Sequence, residues 1–223
     1  MKGFIYKYKK TFVNNEVLKE KQEKIYYITA DNYKAAKSSP HLEIFRKKGI
    51  EVLLMADRVD EWLMSHLTDF NEKSFQSITH GALDLGDLDD EDSKKALEEA
   101  EKQVEGLAER VKTALGDKVK DVKFTHRLTD SPACIVADEQ GMTTQMIKLM
   151  QAAGQPVPEA QYHFEMNPEH QLVKLLADVQ DEEQFSQWTG VLFDQASLSE
   201  QGSLKDPASF VQNLNKLLLS LAK

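Results

Sequence analysis

The chain has 223 residues and a mass of 25.3 kDa, with 41% hydrophobic and 29% charged residues, too apolar for a disordered polymer and sufficient for one large core or two modest ones. Acids outnumber bases 37 to 28, for a net charge of −9, which argues against a general nucleic-acid coat because phosphate binding needs a clustered basic surface. The single cysteine, Cys134, excludes an intrachain disulfide, and no run approaches the about 20 apolar residues of a membrane-spanning helix.

The opening segment, residues 1–24, carries seven lysines against three glutamates. Lysines interrupt its apolar run over 4–13, which makes it a poor signal-peptide core. The first clear element is a strand over 24–29, rich in β-branched and aromatic residues. Asp31 or Asn32 can cap a short helix through Ala36. Ser39 and Pro40 open a second helix that runs to Lys48 and stops at Gly49. Residues 50–55 form a nearly continuous apolar strand suited to burial on both faces. A further helix begins at Asp57 and carries Val59, Trp62, Leu63 and His66. Strand, helix, strand, helix at this spacing predicts a small α/β unit with parallel strands, ending near residue 80.

Residues 81–90 are rich in glycine and aspartate and read as a linker. From 84 to 109 there are eleven acids against three lysines, so most of the excess charge lies in this one stretch. A long helix is predicted over about 91–115, with Leu97, Val104, Leu107, Val111 and Leu115 at helical spacing. Strands follow over 119–126, 132–137 and 162–166, with a helix over 142–153 between the last two. Asn167 and Pro168 start a helix through Leu172, Leu175 and Leu176. Helices over 181–201 and 207–221 end the chain. The fold class is therefore α/β plus α+β: a small α/β domain, then an α+β domain over 91–223 that ends in helices.

The residues offer little to an enzyme. There is no phosphate loop, no nucleophile elbow and no histidine pair at metal-ligand spacing. His163 and His170 flank Glu165 but fall on a strand and the next helix, which disfavours a zinc site. Cys134 has apolar neighbours, as an inert buried thiol does. The helix over 142–150 is more informative: Met142, Met146, Leu149 and Met150 share one face. Such a face either lines a core or presents a soft, adaptable surface to partners. The last helix carries Phe210, Leu214, Leu217, Leu218 and Leu221, and the one before it Phe185, Trp188, Val191, Leu192 and Phe193. These faces cover either the chain's own sheet or a two-fold partner in a four-helix bundle.

Several phrases together resemble one family. Residues 22–31 (QEKIYYITAD), 38–43 (SSPHLE), 48–54 (KGIEVLL) and 57–62 (DRVDEW) are similar to bacterial members, the HtpG chaperones, of the ninety-kilodalton heat-shock protein family. Residues 127–133 (RLTDSPA) and 164–170 (FEMNPEH) match in order and spacing. The resemblance runs from about residue 19 to the end and leaves residues 1–18 as a leader outside the family. It implies the end of the family's middle domain over 19–80 and its C-terminal dimerisation domain over 91–223.

Further implications follow from that resemblance. The ATPase domain, with its ATP and magnesium, lies outside this sequence, so the chain itself holds no cofactor and is not an enzyme. Clients, unfolded or partly folded proteins, are met by the residues at Glu61, Trp62, Met142, Met146, Leu149 and Met150. Met142 and Met146 match family methionines, while Met150 stands where close bacterial sequences have phenylalanine. A homodimer forms through Trp188, Leu192, Leu214, Leu217, Leu218 and Leu221. The expected setting is cytoplasmic, with no nucleic-acid or membrane partner. The rival reading is a dimerising scaffold or regulatory module that binds no client.

Overall fold

A computed structural model describes residues 22–83, 85–88, 91–139, 141–142, 146–148, 150, 153–156 and 162–221. They form two compact units. One holds the described residues within Met1–Asp90 and Glu139–Glu159, the other those within Glu91–Asp138 and Ala160–Lys223. The described residues within 139–159, a segment the sequence reading places in the second domain, group with the first.

The first unit is a four-stranded sheet covered on both faces. β1 (Lys24–Thr29) lies in the middle and runs parallel to β2 (Val52–Met55) on one side and to β4 (Lys73–Ser77) on the other. A short antiparallel strand, β3 (Asp69–Phe70), completes the order β2-β1-β4-β3. Side chains of β1 alternate as the pleat requires. Tyr26 and Ile28 pack with α1 (Tyr33–Ser38) and α2 (Glu43–Lys48), among Ala36, Ile44 and Phe45. Ile25 and Tyr27 face the other way, toward Leu53, Met55, Leu63 and Phe75. Leu63 belongs to α3 (Arg58–Met64).

Three expectations change here. The helix predicted from Ser39 to Lys48 opens as a 3₁₀ turn over Pro40–Leu42 before α2, with the Ser39 hydroxyl accepting from the His41 N–H. β2 is an edge strand with alternating burial rather than one buried on both faces. The segment read as a free linker is docked: Leu85 is buried in the α1–α2 core, Leu83 and Leu88 pack against it, and Lys48 Nζ donates to the Leu88 carbonyl at 3.1 Å. The β3–β4 hairpin was not predicted. It turns through Asn71 and Glu72, both at positive φ (49° and 64°), the backbone that a two-residue primed turn demands.

The second unit is a three-stranded sheet with helices on one face. β7 (Tyr162–Met166) sits between β5 (Val119–Phe124), to which it is parallel, and β6 (Ala133–Ala137), to which it is antiparallel. The predicted long helix is two: α4 (Glu91–Gln103) and α5 (Leu107–Leu115), separated at Gly106, whose φ of 77° no continuous helix tolerates. Val111 and Leu115 of α5 join Ile135, Phe164 and Met166 in one core. The helix expected from Asn167 is α6 (Gln171–Asp178), and its cap is the His170 ring, which accepts from the Leu172 N–H at 3.1 Å.

α7 (Glu182–Gln201) lies over this core through Phe185, Leu192 and Ala196, and α8 (Pro207–Leu221) packs on α7. Arg110 holds the start of α7. Its guanidinium lies 3.7 Å from the Phe185 ring centroid and donates to the Val179 carbonyl and the Glu182 carboxylate, each at 2.7 Å. Asp206 caps α8, accepting from the Ser209 N–H at 3.0 Å and the Ser209 hydroxyl at 2.6 Å; these bonds hold its carboxyl below the usual range. No helix among the described residues is long and apolar enough to cross a membrane.

Candidate functional site

Large apolar side chains left in water mark surfaces that a partner can cover. Such surfaces occur in both units. In the first, α3 starts firmly: the Asp60 carboxylate, almost fully buried, accepts from the Asp57 N–H at 2.8 Å. Leu63 and Met64 turn toward the sheet, which leaves Val59 and Trp62 outward at 61% and 65% exposure. His66, one turn beyond Trp62, stacks against it with ring centroids 4.6 Å apart. Glu61 is half-buried, and its Oε2 has no hydrogen-bond partner. Its charge reaches Tyr27, whose phenol is pushed up first by burial and then by Glu61.

The methionine segment belongs to the same unit. Met142 is 41% exposed, and Met146, Ile147, Lys148 and Met150 are half-buried. Leu149 lies outside the described residues. Lys148 reaches Asp31 at 2.6 Å. At its start the segment passes close to Gly81, where an added Cβ would stand 3.2 Å from the Glu139 Cβ; Gly81 also has a φ of 64°.

In the second unit the exposed large apolar groups lie on α6, at Leu175, on α8 and at the end of α7. Val211, Leu218 and Leu219 are 51%, 55% and 68% exposed, and Leu198 on α7 is 41% exposed. Leu214 is half-buried. Leu192 and Leu217 are already buried by a single copy of the chain, and Trp188 packs partly buried against its main core. The Leu221 side chain lies outside the described residues. Sequence reasoning left Val59, Val211 and Leu219 out of its site residues. The spacing of Val59, Trp62 and His66 at i, i+3 and i+7 was the signal that could have found the α3 face.

The clustered titratable groups of the second unit are used in its architecture. Arg127, almost fully buried, donates to Glu165 at 3.0 Å, and Lys123 approaches the other carboxylate oxygen at 3.3 Å. Burial pushes the Glu165 carboxyl up, but Arg127, Lys123 and a hydrogen bond from Thr125 outweigh it, and the result is a lowered pKa. His163 spans the outer face of the sheet, Nδ1 at 2.6 Å from Asp121 and Nε2 at 2.7 Å from Asp138. Lys120 also meets Asp138 at 2.7 Å, and these two hydrogen bonds, Lys120 first, hold the Asp138 carboxyl down. His163 and His170 are thus a strand clasp and a helix cap. No group of three histidine, cysteine, aspartate or glutamate side chains among the described residues is arranged to hold a metal. Cys134 is buried beside Leu128 and Val136.

Comparison with known sequences agrees with the resemblance. The family described as Hsp90 protein matches residues 9–223. The match begins inside the segment 1–18 that the residue-level resemblance left out, so the boundary moves earlier. The chain is 67% identical to the chaperone protein HtpG of Pseudoalteromonas translucida (strain TAC 125) over 208 residues, which are 93% of this chain and 33% of that protein. It is 61% identical to that of Colwellia psychrerythraea over 208 residues, 93% of this chain and 32% of the relative. For Cronobacter sakazakii the identity is 59% over 203 residues, 91% of this chain and 32% of the relative. The chain spans about a third of the length of the curated relatives it matches.

Proposed function

The chain belongs to the Hsp90 protein family, and from that premise we propose that it is the client-holding and self-associating part of a molecular chaperone. Unfolded or partly folded chains meet Glu61 and Trp62 on α3 and the face of Met142, Met146, Leu149 and Met150. Two copies associate through α7 and α8, with Leu214, Leu218 and Leu221 reaching the partner. Trp188, Leu192 and Leu217 support those helices from within. The chain turns over no ATP by itself.

The observation that carries this reading is the exposure of Trp62, Val59, Leu218 and Leu219, each more than half open to solvent in a single copy. Monomeric proteins avoid grouping such side chains unless a partner covers them, and an exposed tryptophan is a common binding anchor. The HtpG name of the relatives supports the chaperone class.

The test uses two measurements on the same protein. In sedimentation the chain should run as a dimer, and Leu214→Asp with Leu218→Asp should give monomers; a dimer that survives both changes refutes the α8 interface. In light scattering the chain should slow aggregation of a heat-denatured client without nucleotide, and Trp62→Ala should weaken the effect. Dimers with no effect on client aggregation would favour the scaffold reading instead.

A further inference from the structure

We propose that His163 is a proton-dependent clasp: doubly protonated, it ties all three strands together at one end of the second unit's sheet, at the root of the methionine segment, and loss of one proton opens that root. The clasp is independent of what the methionine segment binds.

The chain leaves β6 after Ala137 and rejoins the sheet at Tyr162, and these two residues are the last pair of the β6–β7 ladder. Met142, Met146 and Met150 all lie between them in the sequence. Asp138 is the first residue past β6, and His163 is the second of β7. His163 Nε2 stands 2.7 Å from Asp138 Oδ1, and Nδ1 stands 2.6 Å from Asp121 Oδ1 on β5. One ring therefore bridges to the strands on both sides of β7, and only 15% of its side chain is exposed.

The hydrogen bonds assign the protons. Aspartates near solvent are ionised at neutral pH, and an ionised carboxylate only accepts. Both ring nitrogens must then donate, which only the doubly protonated ring can do. Both contacts are as short as charge-assisted hydrogen bonds. Among the described residues, the charged groups around the ring on this face are Lys120, Asp121 and Lys123 of β5, Asp138 after β6, Glu165 of β7, and Arg127 from the turn between β5 and β6. Glu165 is taken by Arg127 and Lys123. Lys120 shares Asp138 Oδ1 with the ring. Asp121 meets no second cation among the described residues.

A neutral ring donates from one nitrogen only. Its proton stays toward Asp121, whose one cation it is, and the bare Nε2 then turns a lone pair to the Asp138 oxygen. Asp138 keeps Lys120, so the root loosens without coming apart. The clasp is complete while the ring holds both protons and is lost as pH rises through about pH 5–8, where histidines change charge. On the acid side the hydrogen bonds from Lys120 and then His163 hold the Asp138 carboxyl below its usual range, which keeps that acceptor in place.

Nitrogen-15 spectra of the imidazole in the full chain read the ring's protonation directly, and amide exchange reads the root. At about pH 5.5 both His163 nitrogens should carry protons, and Nε2 should be the one that loses its proton as pH rises. Protection of the Ala137 and Tyr162 amides, corrected for intrinsic exchange, should fall about two- to tenfold by about pH 8.5, the scale of one partly exposed charge-assisted hydrogen bond. Ile135 and Phe164, paired further along the same ladder, should stay level. His163→Gln should abolish the pH dependence, because its amide does not titrate. Asp121→Asn and Asp138→Asn keep the ring and should each move the loss of its second proton to lower pH.

A ring already neutral at about pH 5.5, or one whose titration neither aspartate variant moves, would overturn the clasp. Level protection of Ala137 and Tyr162 across the titration, or an equal fall in His163→Gln, would overturn the opening of the root. Should His163→Gln fail to fold, the two asparagine variants decide both points by the same spectra and exchange rates.

Discussion

Trp62 and Trp188 both sit on helices, in different units, yet one stands in water and the other packs against a core. On α7, Phe185, Leu192 and Ala196 seat the helix on β6 and β7, and Trp188 follows them inward. On α3, Leu63 and Met64 face the sheet, and Val59 and Trp62 point outward. The contrast teaches that helical periodicity says which residues share a face, whereas the neighbouring elements decide whether that face is a core or a surface. Its energetic corollary is that equal truncations in the two units should have unequal costs.

The largest expected effect lies in the second unit, at the ion pair. Glu165→Ala leaves the Arg127 guanidinium buried without its carboxylate, at a cost of about 3–5 kcal/mol, measurable as a fall in the denaturation midpoint. Replacing both residues by apolar ones of similar volume should recover much of it. Full recovery is not required, but a loss equal to that of the single change would show that the pair is not coupled. Leu192→Ala should come next, at about 2–5 kcal/mol. A loss below 1 kcal/mol would mean that α7 is not seated as described.

Acid sharpens the comparison further. The folded-state pKa of Glu165 is lowered, so its contribution to stability is fully present above the ordinary carboxylate value of 4.5 and is lost as pH falls through the lower, folded value. A denaturant series from pH 7 downward should show stability falling below about pH 4.5, and Glu165→Gln should flatten that part of the curve. An unchanged slope in the variant would assign the acid loss to other carboxylates.

The smallest effects belong to the first unit. Glu72 holds a positive φ that costs a non-glycine residue about 1 kcal/mol, so Glu72→Gly should stabilise by up to about that amount, less the entropy glycine adds to the unfolded chain. Trp62→Ala should change the unfolding free energy by no more than about 0.5 kcal/mol. A cost in the range of Leu192→Ala would mean that Trp62 is a core residue, and the contrast between the two tryptophans would collapse.

How much of this was legible beforehand differs by element. β1 and β2 stood out by their β-branched, aromatic and apolar runs, and the last helix because apolar residues recur there at helical spacing. The hairpin from Asp69 to Ser77 did not, because KSFQS has one strong strand former and its turn uses Asn71 and Glu72 instead of glycine. The break at Gly106 was hidden because Val104, Leu107 and Val111 keep their helical spacing across it. Residues 81–90 read as a linker because they are rich in glycine and aspartate, although Leu85 is buried in the α1–α2 core and Leu83 and Leu88 pack against it. At the candidate site, Glu61 and Trp62 came from the family resemblance, whereas Val59 and His66 emerged from exposure and stacking.

The amino-acid sequence by itself determined the family, the mixed α/β class, the lack of a disulfide and the stripes that share each helix face. These follow from local spacing and composition, which chain order carries directly. Tertiary structure decided the rest: that the described residues within 139–159 group with the first unit, that Arg127 meets Glu165 across 38 positions, that Leu217 turns inward while Leu218 stays in water, and that the His66 ring lies against Trp62. The physical reason is that burial and pairing belong to two surfaces at once, and a periodic pattern describes only one of them.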